Sequence, residues 1–139
     1  MKILVLNGPN INMTGKREEV YGSKTLDEIN AELKDFALAH GAQIEFFQSN
    51  TEGAIIDRLQ QGGFDGLVIN AGAYTHYSYA IADALYSVHA KKIEVHMSNI
   101  LAREEFRQKS VISKNCDGCI MGLGSEVYFL AVEYLTWHE

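Results

Sequence analysis

Residues 25–48 read TLDEINAELKDFALAHGAQIEFFQ, and they place a helix signal directly before a strand signal. Thr25 and Glu28 have the spacing of a capping box, in which each side chain can satisfy the other residue's backbone N–H. The apolar residues that follow recur at helical spacing: Leu26, Ile29, Leu33, Phe36 and Ala37. Gly41 is a typical helix-ending residue, and the apolar run 42–48 then predicts a strand. This stretch therefore predicts a helix followed at once by a buried strand.

The same alternation of strands and helices continues along the rest of the chain. Further strands are predicted at 3–7, 66–72, 92–98 and 119–124, and further helices at 78–89 and 125–137. Another helix is marked by Ile55, Ile56 and Leu59 and closed by Gly62 and Gly63. This order predicts an α/β fold with a doubly wound, five-stranded parallel sheet between two helical layers, in the flavodoxin-like arrangement. The helix at 125–137 is apolar nearly all round, which indicates burial by the sheet and leaves room for contact with another subunit.

The composition predicts one soluble domain spanning 1–139. The chain has 139 residues, of which 47% are hydrophobic and 22% are charged. Its net charge of -6, with no basic patch in the sequence, argues against a nucleic-acid partner. Because this charge repels anions, any anion site must be local and built from a few Arg or Lys residues.

The sequence offers no membrane segment, because no apolar run approaches the roughly 20 residues that span a bilayer. The start, MKILVLNGPN, turns polar at once and predicts a first strand instead of a signal peptide, so we expect a cytoplasmic location. Cys116 and Cys119 are spaced C-x-x-C. The pair precedes a strand instead of opening a helix, and it has no second pair of ligands, so we interpret it as two incidental thiols in preference to a redox or metal site.

Polar residues follow four of the five predicted strands. They are Asn7, Asn10 and Asn12, then Gln48, Ser49 and Asn50, then Asn70, Tyr74, Thr75 and His76, and finally His96, Ser98 and Asn99. Ligands of open parallel sheets bind at the carboxyl ends of the strands, so this edge is the predicted site. In the stretch IEVHMSN at 93–99, Glu94 and His96 alternate with apolar residues and share one face of their strand.

Two further features keep two interpretations each, and a third is explained by the pattern alone. The loop 8–22 is long for a connection between strand and helix, and it is either a lid over the site or a solvated excursion. If residues 103–107 are helical, Arg103 and Arg107 share a face and can clamp a carboxylate, or they pair with the neighbouring glutamates in solvent. Asp83 lies in the apolar helix 78–89, and the pattern alone favours its solvent-exposed side.

The motifs in these segments, taken together, closely resemble the type II 3-dehydroquinate dehydratases. They are NGPN at 7–10, GKREEVYG at 15–22, NAGAYTH at 70–76, EVHMSN at 94–99 and AREEFR at 102–107. The likeness covers nearly the whole chain in the same order. It implies a hydro-lyase that converts 3-dehydroquinate to 3-dehydroshikimate by anti elimination through an enolate, with no metal or organic cofactor. It also implies a dodecamer, a tetramer of trimers.

The resemblance also implies roles for individual residues. Tyr21 is the base, with Arg17 beside it, and His96 is the acid that protonates the departing hydroxyl and is oriented by Glu94. Asn10 holds a water against the enolate oxygen. The implied substrate-binding residues are Asn70, His76, Met97, Ser98 and Arg107, and Asp83 reaches into a neighbouring subunit's site.

Two positions depart from the family pattern. Glu19 stands where the family commonly has proline, so we expect a change in how the loop closes more than in the chemistry. The bulky Tyr77 follows His76 where the family often has threonine or serine, and it either narrows access or points outward. The rival interpretations are a flavin or phosphate carrier, a receiver domain and an inactive scaffold. The first two are weak, because Pro9 removes an N–H from the loop after the first strand and amides stand there in place of acids.

Overall fold

A five-stranded parallel sheet forms the centre of the computed structural model, which describes residues 1–16 and 24–137. The strands are β1 (Lys2–Asn7), β2 (Gln43–Gln48), β3 (Gly66–Asn70), β4 (Lys91–His96) and β5 (Gly118–Met121). The α-helices of these described residues are α1 (Leu26–Ala39), α2 (Glu52–Gln61), α3 (Tyr79–Tyr86) and α4 (Glu126–Trp137). The strand order β2-β1-β3-β4-β5 confirms the predicted flavodoxin-like, doubly wound α/β fold.

The sheet is covered on both faces, which produces two hydrophobic cores. Side chains alternate along β1, so that Ile3 and Val5 pack with α1 and α4, whereas Leu4 and Leu6 pack with α2 and α3. Each fully buried aliphatic side chain of this kind contributes roughly 1.5–3 kcal/mol. No helix in the described part of the chain is long and apolar enough to cross a bilayer.

Helix α1 begins and ends where its sequence predicts. Thr25 Oγ1 accepts the Glu28 N–H at 3.2 Å, and Glu28 Oε1 accepts the Thr25 N–H at 3.3 Å. This reciprocal capping box satisfies two backbone donors that the first helical turn leaves without a partner. At the other end, Gly41 adopts the left-handed region with φ 77°, where glycine carries no steric penalty.

Helix α3 is shorter than the predicted 78–89. It begins after Ser78, whose Oγ accepts the Ile81 N–H at 3.0 Å, and it ends at Tyr86. The Nζ of Lys92 donates to the carbonyl oxygens of Leu85 and Val88 at 2.8 and 2.7 Å. A lysine from the next strand thus satisfies one carbonyl of the last helical turn and one just beyond it, so the chain can leave the helix early.

Three strands also stop earlier than predicted. Gly72 and Gly122 have φ values of 60° and 89°, which turn the backbone out of the sheet after β3 and β5. After β4, the chain enters a 3-10 turn at Ile100–Ala102. The residues after the strands therefore form loops at the carboxyl edge of the sheet instead of extending it.

Helix α4 buries one side against the sheet, through residues that include Tyr128, Val132 and Leu135. Its outward residues Leu130 and Trp137 are 40% and 68% exposed in the single chain. The predicted burial by the sheet is confirmed, and contact of the outer face with another subunit stays a prediction.

Candidate active site

The loops after β1 and β3 meet at the point where the sheet's connections change direction. Gly8 donates its N–H to Asn70 O at 2.8 Å, and a Cβ at Gly8 would lie 2.4 Å from Ala71 O. Gly72 approaches the backbone of Pro9 in the same way, since its Cβ would lie 2.9 Å from Pro9 O. Only glycine allows these two backbones to come so close, and the crevice beside them is where such folds bind ligands.

A cavity of about 130 Å³ occupies this crevice. It is lined by Pro9, Asn10, Ile11, Asn70, Gly72, Ala73, His76, His96, Met97, Ser98, Ile100, Arg103 and Arg107. A wider groove of about 780 Å³ lies between α1 and α4, where it is lined by apolar side chains with Glu32, Glu126 and Glu133. We place the site in the smaller cavity, because it combines imidazoles, guanidiniums and amides at the predicted edge.

His96, in the cavity wall, and Glu94, behind it, form a buried acid–imidazole pair. Glu94 is 0% exposed and His96 is 5% exposed, and His96 Nε2 lies 2.5 Å from Glu94 Oε2. Ser110 Oγ donates to the same carboxylate oxygen at 2.9 Å, and Ser113 Oγ donates to Oε1. Burial alone would raise the pKa of Glu94, but the hydrogen bonds from His96, Ser113 and Ser110 and the charge of His96 outweigh it, so the pKa is lowered.

The ionised state of Glu94 determines which nitrogen of His96 carries hydrogen. A carboxylate only accepts hydrogen bonds, so the Nε2 that contacts Glu94 must be the donor. With Nε2 held as the donor to Glu94, a proton carried on Nδ1 is the one that the ring can give up. His96 lines the cavity, so the pair can deliver a proton to a group bound there.

His76 is held differently, with its Nδ1 2.8 Å from Lys109 O. A carbonyl only accepts, so Nδ1 carries the hydrogen and Nε2 is the acceptor in the neutral ring. Burial lowers the pKa of His76, and the nearby charges of His96, Arg107 and Arg103 lower it further. His76 is therefore suited to accept a hydrogen bond from a bound hydroxyl at neutral pH.

Asn70 is fixed at the cavity wall by a buried network that joins the ends of β1 and β3 to α4. Its Nδ2 donates to Tyr128 Oη at 2.9 Å, and its Oδ1 accepts the Gly72 N–H at 3.1 Å. Tyr128 Oη in turn donates to Asn7 Oδ1 at 2.6 Å. Burial raises the pKa of Tyr128, so this phenol is a structural hydrogen-bonding group and not a base.

Asn10, which follows β1, has an unusual backbone conformation. Its φ of 69° places it in the left-handed region, which asparagine tolerates better than most residues. Its N–H donates to Asn50 Oδ1 at 3.0 Å, so the loop after β2 supports the loop after β1. This conformation places Asn10 among the residues that line the cavity.

Arg103 and Arg107 both line the cavity, but the helix considered for them is wrong. Arg103 has extended backbone between the 3-10 turns Ile100–Ala102 and Glu105–Arg107. Arg103 Nη1 donates to Ser98 Oγ at 3.3 Å, and Arg107 Nε donates to Glu104 Oε2 at 3.3 Å. The local cluster of cations expected for an anion site is thus present, brought together by turns instead of helical periodicity.

Glu94, His96 and Cys119 are all metal-ligand types, and their ligand atoms lie within 4.8 Å of one another. The chemistry of the group fits a metal poorly. A metal needs the thiolate, whereas burial and the Glu94 charge raise the pKa of Cys119 to about 12. The oxygens of Glu94 already accept hydrogen bonds from His96, Ser110 and Ser113. The cluster is better explained as a hydrogen-bonded acid pair.

A family model described as dehydroquinase class II matches residues 1–136. The chain belongs to the class II dehydroquinase family. A 3-dehydroquinate dehydratase of Thermotoga neapolitana is 59% identical over 136 residues, which cover 97% of this chain and 94% of that protein. One from Bacillus pumilus is 53% identical, over 96% of this chain and 92% of that protein. The crystal structure of a type II dehydroquinase from Butyrivibrio crossotus superimposes with a TM-score of 0.95 at 51% identity, covering 97% of each chain.

The described residues bring most of the predicted dehydroquinase site together. Asn10, Asn70, His76, His96, Met97, Ser98 and Arg107 line the same cavity, and Glu94 lies directly behind His96. Asp83 is exposed on α3, in a shallow groove with Tyr86, Lys114 and Asn115, away from this cavity. The predicted residues Arg17 and Tyr21, and the departure at Glu19, lie outside the described residues.

Sequence reasoning missed three residues that hold this candidate site in place. Ser110 and Ser113 reach Glu94 from 16 and 19 residues away, and Tyr128 links two asparagines from inside an apolar helix. For Tyr128, a signal was present, because a buried tyrosine needs a partner for its hydroxyl. No periodicity points the two serines toward Glu94.

Proposed function

We propose that this chain removes water from 3-dehydroquinate by anti elimination through an enolate, giving 3-dehydroshikimate in the shikimate pathway or in quinate breakdown. The observation that carries the proposal is the buried Glu94–His96 pair opening on a polar cavity, in a chain that matches the class II dehydroquinase family over residues 1–136. An elimination of this kind needs a base, an acid and a site for the enolate, and each is assigned below.

His96 is the proposed acid. As the carbon–oxygen bond breaks, the departing hydroxyl takes a proton from His96 and leaves as water. Glu94 supports this step because its ionised carboxylate, 2.5 Å from Nε2, orients the ring and favours the charged imidazolium. The proton lost by His96 is balanced by the one that the base removes from the substrate.

Tyr21 is the proposed base, and it takes a proton from the carbon beside the ketone. A phenol with a pKa near ~10 is a poor base at neutral pH, so it needs a cation to favour the phenolate. Arg17, four residues earlier, is the proposed cation. Both roles rest on the resemblance of 15–22 to the family motif.

The remaining cavity residues are proposed to hold substrate and intermediate. Asn10 would position a water against the enolate oxygen, where a fixed donor stabilises the developing charge. Asn70 and the neutral His76 would bind substrate hydroxyls. Ser98, the backbone at Met97 and Arg107 would bind further polar groups, including the carboxylate, which a guanidinium suits well.

The assembly is part of the proposal. We propose a dodecamer, a tetramer of trimers, in which Asp83 completes the site of a neighbouring subunit. The exposure of Asp83 on α3 in the single chain supports this role, since a residue turned away from its own cavity is available to another. A cytoplasmic location belongs to the same proposal. If sedimentation gave a fully active monomer, the role of Asp83 across subunits would be wrong.

An absorbance assay tests the activity directly. With 3-dehydroquinate as substrate, we expect absorbance in the ultraviolet to rise as the conjugated enone forms. The rate should be the same with and without EDTA, because the proposed steps use only side chains of this chain. The control is substrate without protein. No turnover would remove the enzyme proposal, and turnover abolished by EDTA would remove its metal-free mechanism.

Tyr21→Phe tests the base, because it removes only the phenolic oxygen. We expect kcat to fall by about 10²-fold, at the lower end of what a positioned acid or base contributes, while KM stays similar. Tyr79→Phe is the matched control, since Tyr79 is 65% exposed on α3. Near-normal turnover by the Tyr21 variant would exclude Tyr21 as the base.

A further inference from the structure

The segment 107–113 joins the 3-10 turn Glu105–Arg107 to another 3-10 turn at Ser113–Asn115, and it contacts the candidate site at several points. Arg107 lines the cavity, and Lys109 O accepts from the ring of His76. Val111 N–H donates to Thr75 O at 2.9 Å, which ties the segment to the loop after β3. Ser110 and Ser113 then reach the carboxylate of Glu94. The segment therefore contacts His76 directly and His96 through its partner Glu94.

Neither serine is among the residues that line the cavity. Their hydroxyls approach Glu94 from the side of the segment, whereas His96 approaches it from β4. These three donors hold the carboxylate on both of its oxygens, and the Cys119 thiol also hydrogen-bonds to it, which fixes its plane and the oxygen offered to His96. A buried carboxylate without such donors would be driven toward its neutral form.

We propose that Ser110 and Ser113 are positioning residues that keep Glu94 ionised and oriented, and so set His96 in the state that donates a proton. The proposal rests on the proposed function for its kinetic consequences. Without the serines, Glu94 takes up a proton more readily, and a protonated Glu94 can no longer accept the N–H of His96 and favour its charged form.

Few other groups can titrate next to Glu94 among the described residues. His96 faces it from β4, and Cys119 faces it from β5. Cys116, before β5, feels the charge of Glu94. Burial raises the pKa of both thiols to about 12, so neither ionises between pH 4 and 9. His76, whose pKa is lowered from 6.5 and which feels the charge of His96, also titrates in that range, so its own imidazole signals are followed in the same spectra. The remaining change at this site reports on the hydrogen-bonded Glu94–His96 pair.

The first experiment uses no substrate, so it stands even if the proposed function fails. The full chain is labelled with 15N-histidine, and the imidazole nitrogens of His96 are followed by NMR from pH 4 to 9 in wild type, Ser110→Ala and Ser113→Ala. In wild type we expect Nε2 to carry hydrogen throughout, with no titration step from Glu94 above pH 4.5, the ordinary pKa of its carboxyl group. In each alanine variant we expect that step to move to higher pH.

The second experiment measures kinetics on the same variants. Because a hydrogen bond to a charged group is lost, we expect each alanine variant to lower kcat by about 10-fold, with KM nearly unchanged and the acidic limb of the kcat profile at higher pH. Ser110→Thr and Ser113→Thr keep the hydroxyl and should restore kcat. Ser87→Ala, at an exposed position after α3, is the matched control.

A double variant separates positioning from general stabilisation. If the serines act through Glu94, then adding Ser113→Ala to Glu94→Gln should lower kcat much less than Ser113→Ala alone. An equal loss in both backgrounds, or alanine variants whose NMR titration and pH profile match wild type, would overturn the proposal. If Ser113→Ala does not fold, Ser110→Ala provides the same comparison. No turnover by wild type, with the NMR shifts as expected, would reject the proposed function alone.

Discussion

His96→Asn is expected to lower kcat by about 10³-fold, in the middle of the range that a general acid contributes. Asparagine cannot give up a proton at the pH of the assay, so the departing hydroxyl would leave as hydroxide or take its proton from water. KM should change little, because the cavity keeps Asn70, His76, Ser98 and Arg107, which are the proposed contacts for the substrate.

Asparagine is used because it removes the titratable ring but keeps a polar amide beside the buried carboxylate. Its amide nitrogen takes the place of Nδ1 and falls short of the Nε2 position that contacts Glu94, so Glu94 keeps the donors Ser110 and Ser113 but loses that of His96. Circular dichroism with thermal unfolding measures the resulting loss of stability, and a folded variant shows that the loss of kcat is chemical.

His89→Asn is the matched control, since His89 is exposed after α3 and lies outside the cavity. It should leave kcat and KM unchanged. A His96→Asn variant that folds normally and retains most of the wild-type kcat would exclude His96 as the acid. A higher KM with kcat preserved would make His96 a binding residue instead.

The fold could be predicted because its signals are local. The Thr25–Glu28 capping box and the glycine at 41 mark the limits of α1 within the helix and the residues next to it. The helix at 78–89 was predicted too long, because its end depends on Lys92, which reaches back from β4 to two carbonyl groups. Contacts made by a residue from the next element leave no periodicity in the sequence.

The site could be predicted in part for the same reason. The alternation of side chains along a strand places Glu94 and His96 on one face of β4. Ligands of parallel sheets bind at the carboxyl ends of the strands, which is where these two residues lie. Arg103 and Arg107 were found by their charge, but their geometry could not be predicted from the sequence, because an extended Arg103 separates two 3-10 turns. The serines at 110 and 113 depend on how that irregular segment folds back on β4.

Glu94→Gln is expected to affect both activity and stability, because Glu94 is wholly buried and accepts hydrogen bonds from His96, Ser110 and Ser113. The amide is nearly the same size as the carboxylate, so packing is retained. It has no charge, and one of its two ends donates instead of accepting. We expect kcat to fall by about 10² to 10³-fold, since His96 loses both the anion that favours its charged form and the acceptor that fixes its tautomer.

The stability effect follows from the same contacts. Replacing an ionised acceptor weakens the hydrogen bonds of Ser110, Ser113 and His96, and we expect the free energy of unfolding to fall by about 1–3 kcal/mol at neutral pH. Urea unfolding of wild type and variant would measure this difference. Glu105→Gln is the matched control, since Glu105 is exposed in the 3-10 turn before Arg107.

The pH dependence of this difference identifies its cause. The pKa of Glu94 is lower in the folded chain than its ordinary value of 4.5, so its ionisation stabilises the fold above about pH 4.5. That contribution is lost as the pH falls through the lower, folded-state pKa. Glutamine does not ionise, so the variant lacks this contribution at every pH. The difference in free energy of unfolding between the two proteins should therefore be largest at neutral pH and should decrease below about pH 4.5. A difference in free energy of unfolding that stays constant down to pH 3 would show that side-chain packing, and not the charge of Glu94, is its cause.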